Sequence, residues 1–224
     1  MENKISSTIE DYLGIIYVLE RDGEPVQGVR LAELLGVSAP TVTNTLKRMT
    51  RDGLLESGTG GPHLTASGLE QARTVMRRHM LAEWMLARML SWSKLHGEAH
   101  SMEHAISQEV ETSLLQELDG KQTCPHGNPM PGHEEAVKNW VALTDLAAGA
   151  RVIIRRVHEL MEDTRGVLAF LEERGIAPGV DASVVENQPV NETVTLKVAG
   201  QPVTLGYALA RYIYGELAGG AAAN

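Results

Sequence analysis

The stretch VRLAELLGVSAPTVTNTLKRMTRDGLL, residues 29–55, decides the fold. Its opening apolar pattern predicts a short helix over residues 29–35. Gly36 centres a tight turn, and Ser38 caps a second helix with Pro40 in its first turn. That second helix sorts its side chains by face, with Thr41, Thr43, Asn44 and Lys47 on one side and Val42, Leu46 and Met49 on the other. A short helix, a tight turn and a polar-faced second helix read as a helix-turn-helix, whose polar side is shaped to enter a major groove. Thr and Asn hydrogen-bond base edges, while Lys and Arg meet phosphates. The candidate DNA contacts are therefore Ser38, Pro40, Thr41, Thr43, Asn44, Lys47, Arg48 and Arg51.

Working outward, residues 6–21 have apolar side chains at Ile9, Leu13, Ile16, Tyr17 and Leu19, close to helical spacing, and Gly23 with Pro25 ends this first helix. Downstream, LLESGTGGPHLTASG has two short apolar pieces around a Gly-rich turn, which predicts a β-hairpin wing. Residues 66–91 form a strongly amphipathic helix, and a further helix is expected over 94–118. Two long helices of this kind can pair across a dimer axis, as a recognition helix usually works in a symmetric pair. The Pro- and Gly-rich DGKQTCPHGNPMPGHEE reads as a connecting loop, and a helix is expected near residues 162–174. Alternation over 193–198 and 202–205 around Ala199-Gly200-Gln201 predicts a β-hairpin in a small, mostly β C-terminal domain, with AGGAAAN as a frayed end. The fold class is mainly α. The expected domains are a winged helix-turn-helix over 1–74, a helical metal-binding and dimerisation domain over 75–138, and a linker plus β domain over 139–224.

The chain has 224 residues, more than one typical domain, and only one Phe, five Tyr and three Trp, so its core must be built mainly from aliphatic side chains. Cys124 is the single cysteine and cannot form an internal disulfide; no apolar run reaches the roughly 18 residues of a membrane span. The polar start MENKISSTIEDYLG lacks the order of a signal peptide, so a soluble cytoplasmic protein without membrane contact is expected. A net charge of -9 argues against nucleic-acid binding by the chain as a whole. Between Thr41 and Met80, however, six Lys and Arg face three acids, so the acidic surplus lies elsewhere.

Some of that surplus sits where cations can be bound. RRHMLAE and KLHGEAHSMEHAISQEVE place His79, Glu83, His96, Glu98, His100, Glu103 and His104 on two adjacent helical segments. His79 and Glu83 lie one turn apart, and His96, His100, Glu103 and His104 share an arc of roughly 100° on an ideal helix. Taken singly such residues are solvated surface pairs; gathered on one stripe they form a metal-capable set. Imidazole with carboxylate suits Mn, Fe, Co, Ni or Zn, and no thiolate joins the helical cluster. A metalloenzyme is the rival from another class, but no HExxH and no nucleophile elbow occur. A winged-helix regulator with a non-metal effector is the other alternative.

With these pieces in view, the chain resembles the diphtheria toxin repressor family of metal-dependent regulators, which includes iron-dependent and manganese-transport regulators. The matching pieces are IEDYLGIIYVLE, SAPTVTNTLKRMTRDGLL, LTASG, MRRHMLAE, HGEAHSMEHAIS, HGNPMPG and RRVHELMEDTRGVLAFLEERG. The resemblance implies a winged helix, a helical dimerisation domain, an SH3-like C-terminal domain and two metal sites per protomer. His79, Glu83 and His96 match the ancillary ligands, completed from the last domain by Glu159 and Glu162, the second being Gln in iron-dependent members. Asp11, His100, Glu103 and His104 match the primary, switching site. Iron-type members have Met where Asp11 stands and Cys where His100 stands. Manganese-type members share the Asp but usually have Glu in place of His100, and some have a second Glu where Gly14 stands. The loss of both sulfur ligands favours Mn(II), with Fe(II) the alternative and Co(II), Ni(II) or Zn(II) able to bind in vitro. In some members a Cys and a His of the Pro-rich loop join a secondary site; here Cys124 and His126 are expected to be structural. The implied function is a repressor of metal-ion homeostasis that binds operator DNA as a metal-loaded homodimer.

Overall fold

A computed structural model describes residues 5–218, so the expected frayed end over 219–224 lies outside the described residues. The chain divides into two compact units, residues 1–79 with 100–113, and residues 80–99 with 114–224.

In the first unit, α1 (Ser7–Arg21) buries Ile9, Tyr12, Leu13, Ile16, Tyr17 and Leu19. Helix α2 (Gly28–Leu35) ends on Gly36 at φ 64, the left-handed cap that glycine adopts at no steric cost. Ser38 caps α3 (Ala39–Arg51), its Oγ accepting from the Thr41 amide at 3.3 Å. Val42 and Met49 of α3 are buried, and Leu46 is half-buried. The expected wing is present as β1 (Leu55–Gly58) antiparallel to β2 (Gly61–Leu64). Gly61 lies at φ 137, and a Cβ there would stand 2.1 Å from the Val26 carbonyl oxygen, so this turn requires glycine. The wing is tied to α1 through Glu20, whose Oε1 accepts from the Leu64 amide at 3.1 Å and lies 2.9 Å from His63 Nδ1.

Helix α4 (Ala66–Leu86) ends five residues before the expected Ser91. The single helix expected over 94–118 is instead a 3-10 turn, Trp92–Lys94, followed by α5 (Leu95–Glu103) and α6 (Gln108–Glu117). The break has a local cause: Ser107 Oγ accepts from the Val110 amide at 3.3 Å, capping α6, while Ile106 is buried in the turn before it. Arg77 and Arg78 of α4 both grip buried Glu111 of α6, at 2.6 and 2.9 Å.

In the second unit, the helix expected over 162–174 is two short ones, α7 (Glu159–Glu162) and α8 (Val167–Glu173), separated by Gly166 at φ 80. His158 Nδ1 caps α7 by accepting from the Leu160 amide at 3.1 Å. Strands β3 (Val141–Ala142), β4 (Arg151–Val157), β5 (Asp181–Gln188), β6 (Thr193–Val198), β7 (Gln201–Gly206) and β8 (Ile213–Leu217) form an antiparallel sheet in the order β3-β8-β4-β5-β6-β7. The hairpin β6–β7 turns at Ala199-Gly200, both at positive φ, and Val194, Leu196 and Val198 alternate into the core with Val152, Ile154, Leu171 and Ile213. The short helix α9 (Tyr207–Ala210) leads into β8. The Pro-rich loop is irregular as expected but tightly held. Asn128 is fully buried, donating to the Val157 carbonyl at 2.8 Å and accepting from Arg156 Nε at 2.6 Å. Among the described residues no helix is long and apolar enough to cross a membrane.

Candidate metal centres and DNA-binding face

The exposed face of α3 presents Thr41, Thr43, Asn44, Lys47, Arg48 and Arg51, with Ser38 and Pro40 exposed at its start. Arg48 and Arg51 lie 3.6 and 3.1 Å from Asp52, whereas Lys47 has no ion pair among the described residues. Packing of Val42 and Met49 beneath leaves the polar row free to meet a groove.

The first unit gathers one set of metal-capable groups. Asp11 sits mid-way along the first turns of α1, Glu103 closes α5, and His104 follows it in the turn. Their ligand atoms lie within 4.8 Å of one another. His104 Nε2 stands 3.3 Å from Asp11 Oδ1 and 3.6 Å from Glu103 Oε1. The other predicted member, half-exposed His100, lies with its Nδ1 3.4 Å from Glu103 Oε1. Glu103 is only 4 % exposed and also takes His79, whose Nδ1 lies 2.6 Å from Oε2. His79, expected alongside Glu83, thus has a direct partner in the primary set, one helical turn before Glu83 on α4. Burial pushes the Glu103 carboxyl upward, but hydrogen bonds from His100 and His79 outweigh it and bring it down to about 2. Burial raises Asp11 above its ordinary value despite the nearby His100 and His104. Asp11 Oδ1 is buried and accepts no hydrogen bond among the described residues. A buried, unbonded carboxylate oxygen facing an imidazole and a second carboxylate fits a divalent cation of the Mn or Fe type.

The second unit gathers another set. His96 of α5 places Nδ1 2.7 Å from Glu162 Oε2 and 3.8 Å from Glu83 Oε1, and its Nε2 lies 2.9 Å from Asp163. His126 Nδ1 lies 2.9 Å from Glu83 Oε1, and Cys124 joins Glu83 and His126 within 4.8 Å. Cys124 and His126, expected to be structural, are thus brought up to Glu83. The hydrogen-bonded turn around Asn128 carries the loop onto β4 and His126 onto Glu83. Glu159 is not gathered with Glu83; it accepts from Arg156 Nη2 at 3.0 Å. Burial opposes charge on both imidazoles, yet Glu162 and Glu83 outweigh it, raising His126 above its ordinary value and His96 well above it. Burial likewise pushes the Cys124 thiol well up. Two buried carboxylates with two imidazoles also fit a divalent cation.

Three family models cover the chain in series. The N-terminal DNA-binding domain of iron-dependent repressors matches residues 4–59, their metal-binding and dimerisation domain residues 65–132, and the FeoA domain residues 141–217. The iron-dependent repressor IdeR of Mycobacterium leprae is 35% identical over 225 residues, covering 94% of this chain and 97% of the relative. The chain belongs to the diphtheria toxin repressor family. It is a metal-dependent transcriptional repressor with a DNA-binding domain, a domain through which the family dimerises, and an SH3-like FeoA domain that accounts for the six-stranded sheet. The diphtheria toxin repressor of Corynebacterium diphtheriae is 34% identical, covering 88% of this chain and 92% of that protein. Among solved structures, IdeR of T. acidophilum superposes with a TM-score of 0.74 at 28% identity, covering 93% and 97% of the two chains. A manganese-dependent transcriptional repressor in complex with manganese superposes at 0.81 with 26% identity, covering 94% and 100%. These repressors bind DNA rather than catalyse a reaction.

Proposed function

We propose that this repressor responds to Mn(II), and that Asp11, Glu103 and His104, with His100 on the open side, hold the switching ion. The observation that carries the metal choice is the donor set. Carboxylate and imidazole, gathered without a cysteine in this group, make a hard oxygen-nitrogen site suited to Mn(II). Asp11 belongs to the helix that also anchors the wing, so ligation there orders the DNA-binding domain against the segment bearing Glu103. A bound cation supplies the positive charge at which half-buried Asp11 and buried Glu103 can meet. In the second unit Glu83, His96, Glu162 and His126 form the supporting site, with Cys124 kept a neutral thiol by burial. The α3 row of Thr41, Thr43, Asn44 and Lys47 reads operator bases and phosphates, one row from each protomer of a homodimer.

Fe(II) is the second reading, favoured by the iron-dependent relatives that match nearly the whole chain. The test is operator binding by gel shift against Mn(II), Fe(II), Co(II), Ni(II) and Zn(II), each buffered to a defined free concentration. Mn(II) is expected to switch the wild type on and to fail with Asp11→Ala. Activation by Fe(II) at lower free concentration than Mn(II) would establish the iron reading. An unchanged response of Asp11→Ala would sink this assignment of the switching site.

A further inference from the structure

Carboxylates face both ring nitrogens of His104. Its Nδ1 lies 2.5 Å from Glu10 Oε2, while Nε2 faces Asp11 Oδ1 at 3.3 Å and Glu103 Oε1 at 3.6 Å. A neutral imidazole has one N–H and one lone pair, and only the nitrogen with the lone pair can ligate. Both ends of this ring face a carboxylate that would accept the proton. Glu10 is the closest of the three carboxylates, and its side chain is only 14% exposed.

We propose that Glu10 is a positioning residue of the metal-responsive site: it accepts the Nδ1 proton of His104 and so leaves the Nε2 lone pair aimed between Asp11 and Glu103. Histidines that bind metals generally donate their other N–H to a carboxylate or carbonyl, which fixes the ring and strengthens it as a ligand. Glu10 and Asp11 are successive residues of α1, so one helix grips the imidazole from behind and meets the ligating nitrogen in front. Without Glu10, the remaining carboxylates, Asp11 and Glu103, both lie at Nε2, where they draw the proton and block ligation. The inference rests on the reading that Asp11, Glu103 and His104 hold the switching ion.

The test uses the full-length protein and Co(II), whose d–d absorption and calorimetric binding steps report the site independently of DNA. The step abolished in Asp11→Ala identifies it. Glu10→Ala is expected to weaken that step by about 10- to 100-fold, while Glu10→Gln, whose amide oxygen still accepts the Nδ1 proton, recovers most of it. Imidazole 15N shifts of the neutral His104 ring are expected to show a protonated Nδ1 in the wild type and in Glu10→Gln, and a protonated Nε2 in Glu10→Ala. The wild-type measurement needs no variant to fold. A protonated Nε2 in the wild type overturns the inference. So does wild-type Co(II) affinity in Glu10→Ala when Asp11→Ala loses the step. Equal loss in Glu10→Gln and Glu10→Ala overturns the positioning role, and an intact step in Asp11→Ala overturns the underlying site reading along with it.

Discussion

Replacing Glu103 by Gln isolates the charge at the centre of the first metal-capable set. The carboxyl is held at about 2 against an ordinary 4.5, in a residue 4% exposed. Each pH unit corresponds to about 1.4 kcal/mol, so the charged form is favoured in the folded protein by about 3 kcal/mol. The amide of Gln fills the same space but presents an N–H group towards one of the imidazoles, so Glu103→Gln is expected to lose about that much stability at pH 7. The sign in pH follows from a depressed carboxyl. The contribution is fully present above pH 4.5 and is lost as pH falls towards 2, so wild type and variant converge at the acid end. Urea unfolding followed by circular dichroism, with chelator present and at several pH values, measures this. Equal midpoints at pH 7, or a gap that persists undiminished at pH 2, would refute the reasoning.

Other outcomes follow from the same geometry. Gly127→Ala would put a Cβ 1.8 Å from the Arg155 carbonyl oxygen at a residue of φ 90, and should cost on the order of 3 kcal/mol or more, read as a lower melting temperature. His96 and His126 are raised by Glu162 and Glu83, so in the absence of metal their contribution to stability is present below pH 6.5 and lost as pH rises through their folded values. Ligation requires the same protons to leave, so metal affinity at that cluster should climb with pH beyond 6.5, with proton release visible as buffer-dependent calorimetric heat. Lys47→Ala should weaken operator and random DNA alike and flatten the log–log salt slope by about 1, whereas Asn44→Ala should weaken the operator selectively; both are read by fluorescence anisotropy.

The DNA-binding half was legible because its determinants are local: Gly36 for the turn, the Ser38 cap, and two opposed faces on thirteen residues of helix. The β6–β7 hairpin was legible for the same reason, as period-two alternation meets a turn at Ala199-Gly200. The stripe of His and Glu was visible too, but its division into two sets came only with the family resemblance, because its physical cause is not periodic. Ser107 caps a new helix in the middle of an unbroken apolar pattern, and that break lets His104 leave the helical row and turn to Asp11. Glu159 and Glu162 look alike in sequence; Arg156, placed by β4, takes the first and leaves the second to His96. Cys124 and His126 lie in a loop without periodicity, brought to Glu83 by hydrogen bonds of Asn128 with residues about thirty positions away. Glu10 carried no signal beyond its adjacency to Asp11.

Helix α1 meets the metal-capable set with Glu10 and Asp11 and grips the wing with Glu20, nine residues after Asp11 and therefore about 13 Å along one rigid rod. A rod has no preferred direction of influence. Whatever free energy a cation at Asp11 contributes to setting the wing on DNA, a bound duplex returns to the cation, and the two affinity ratios must be equal. With the switching ion at Asp11 as proposed, operator DNA is itself an effector of this site: promoters with tighter operators should stay occupied at lower free metal, and cutting the Glu20–His63 link should abolish both halves of the exchange together.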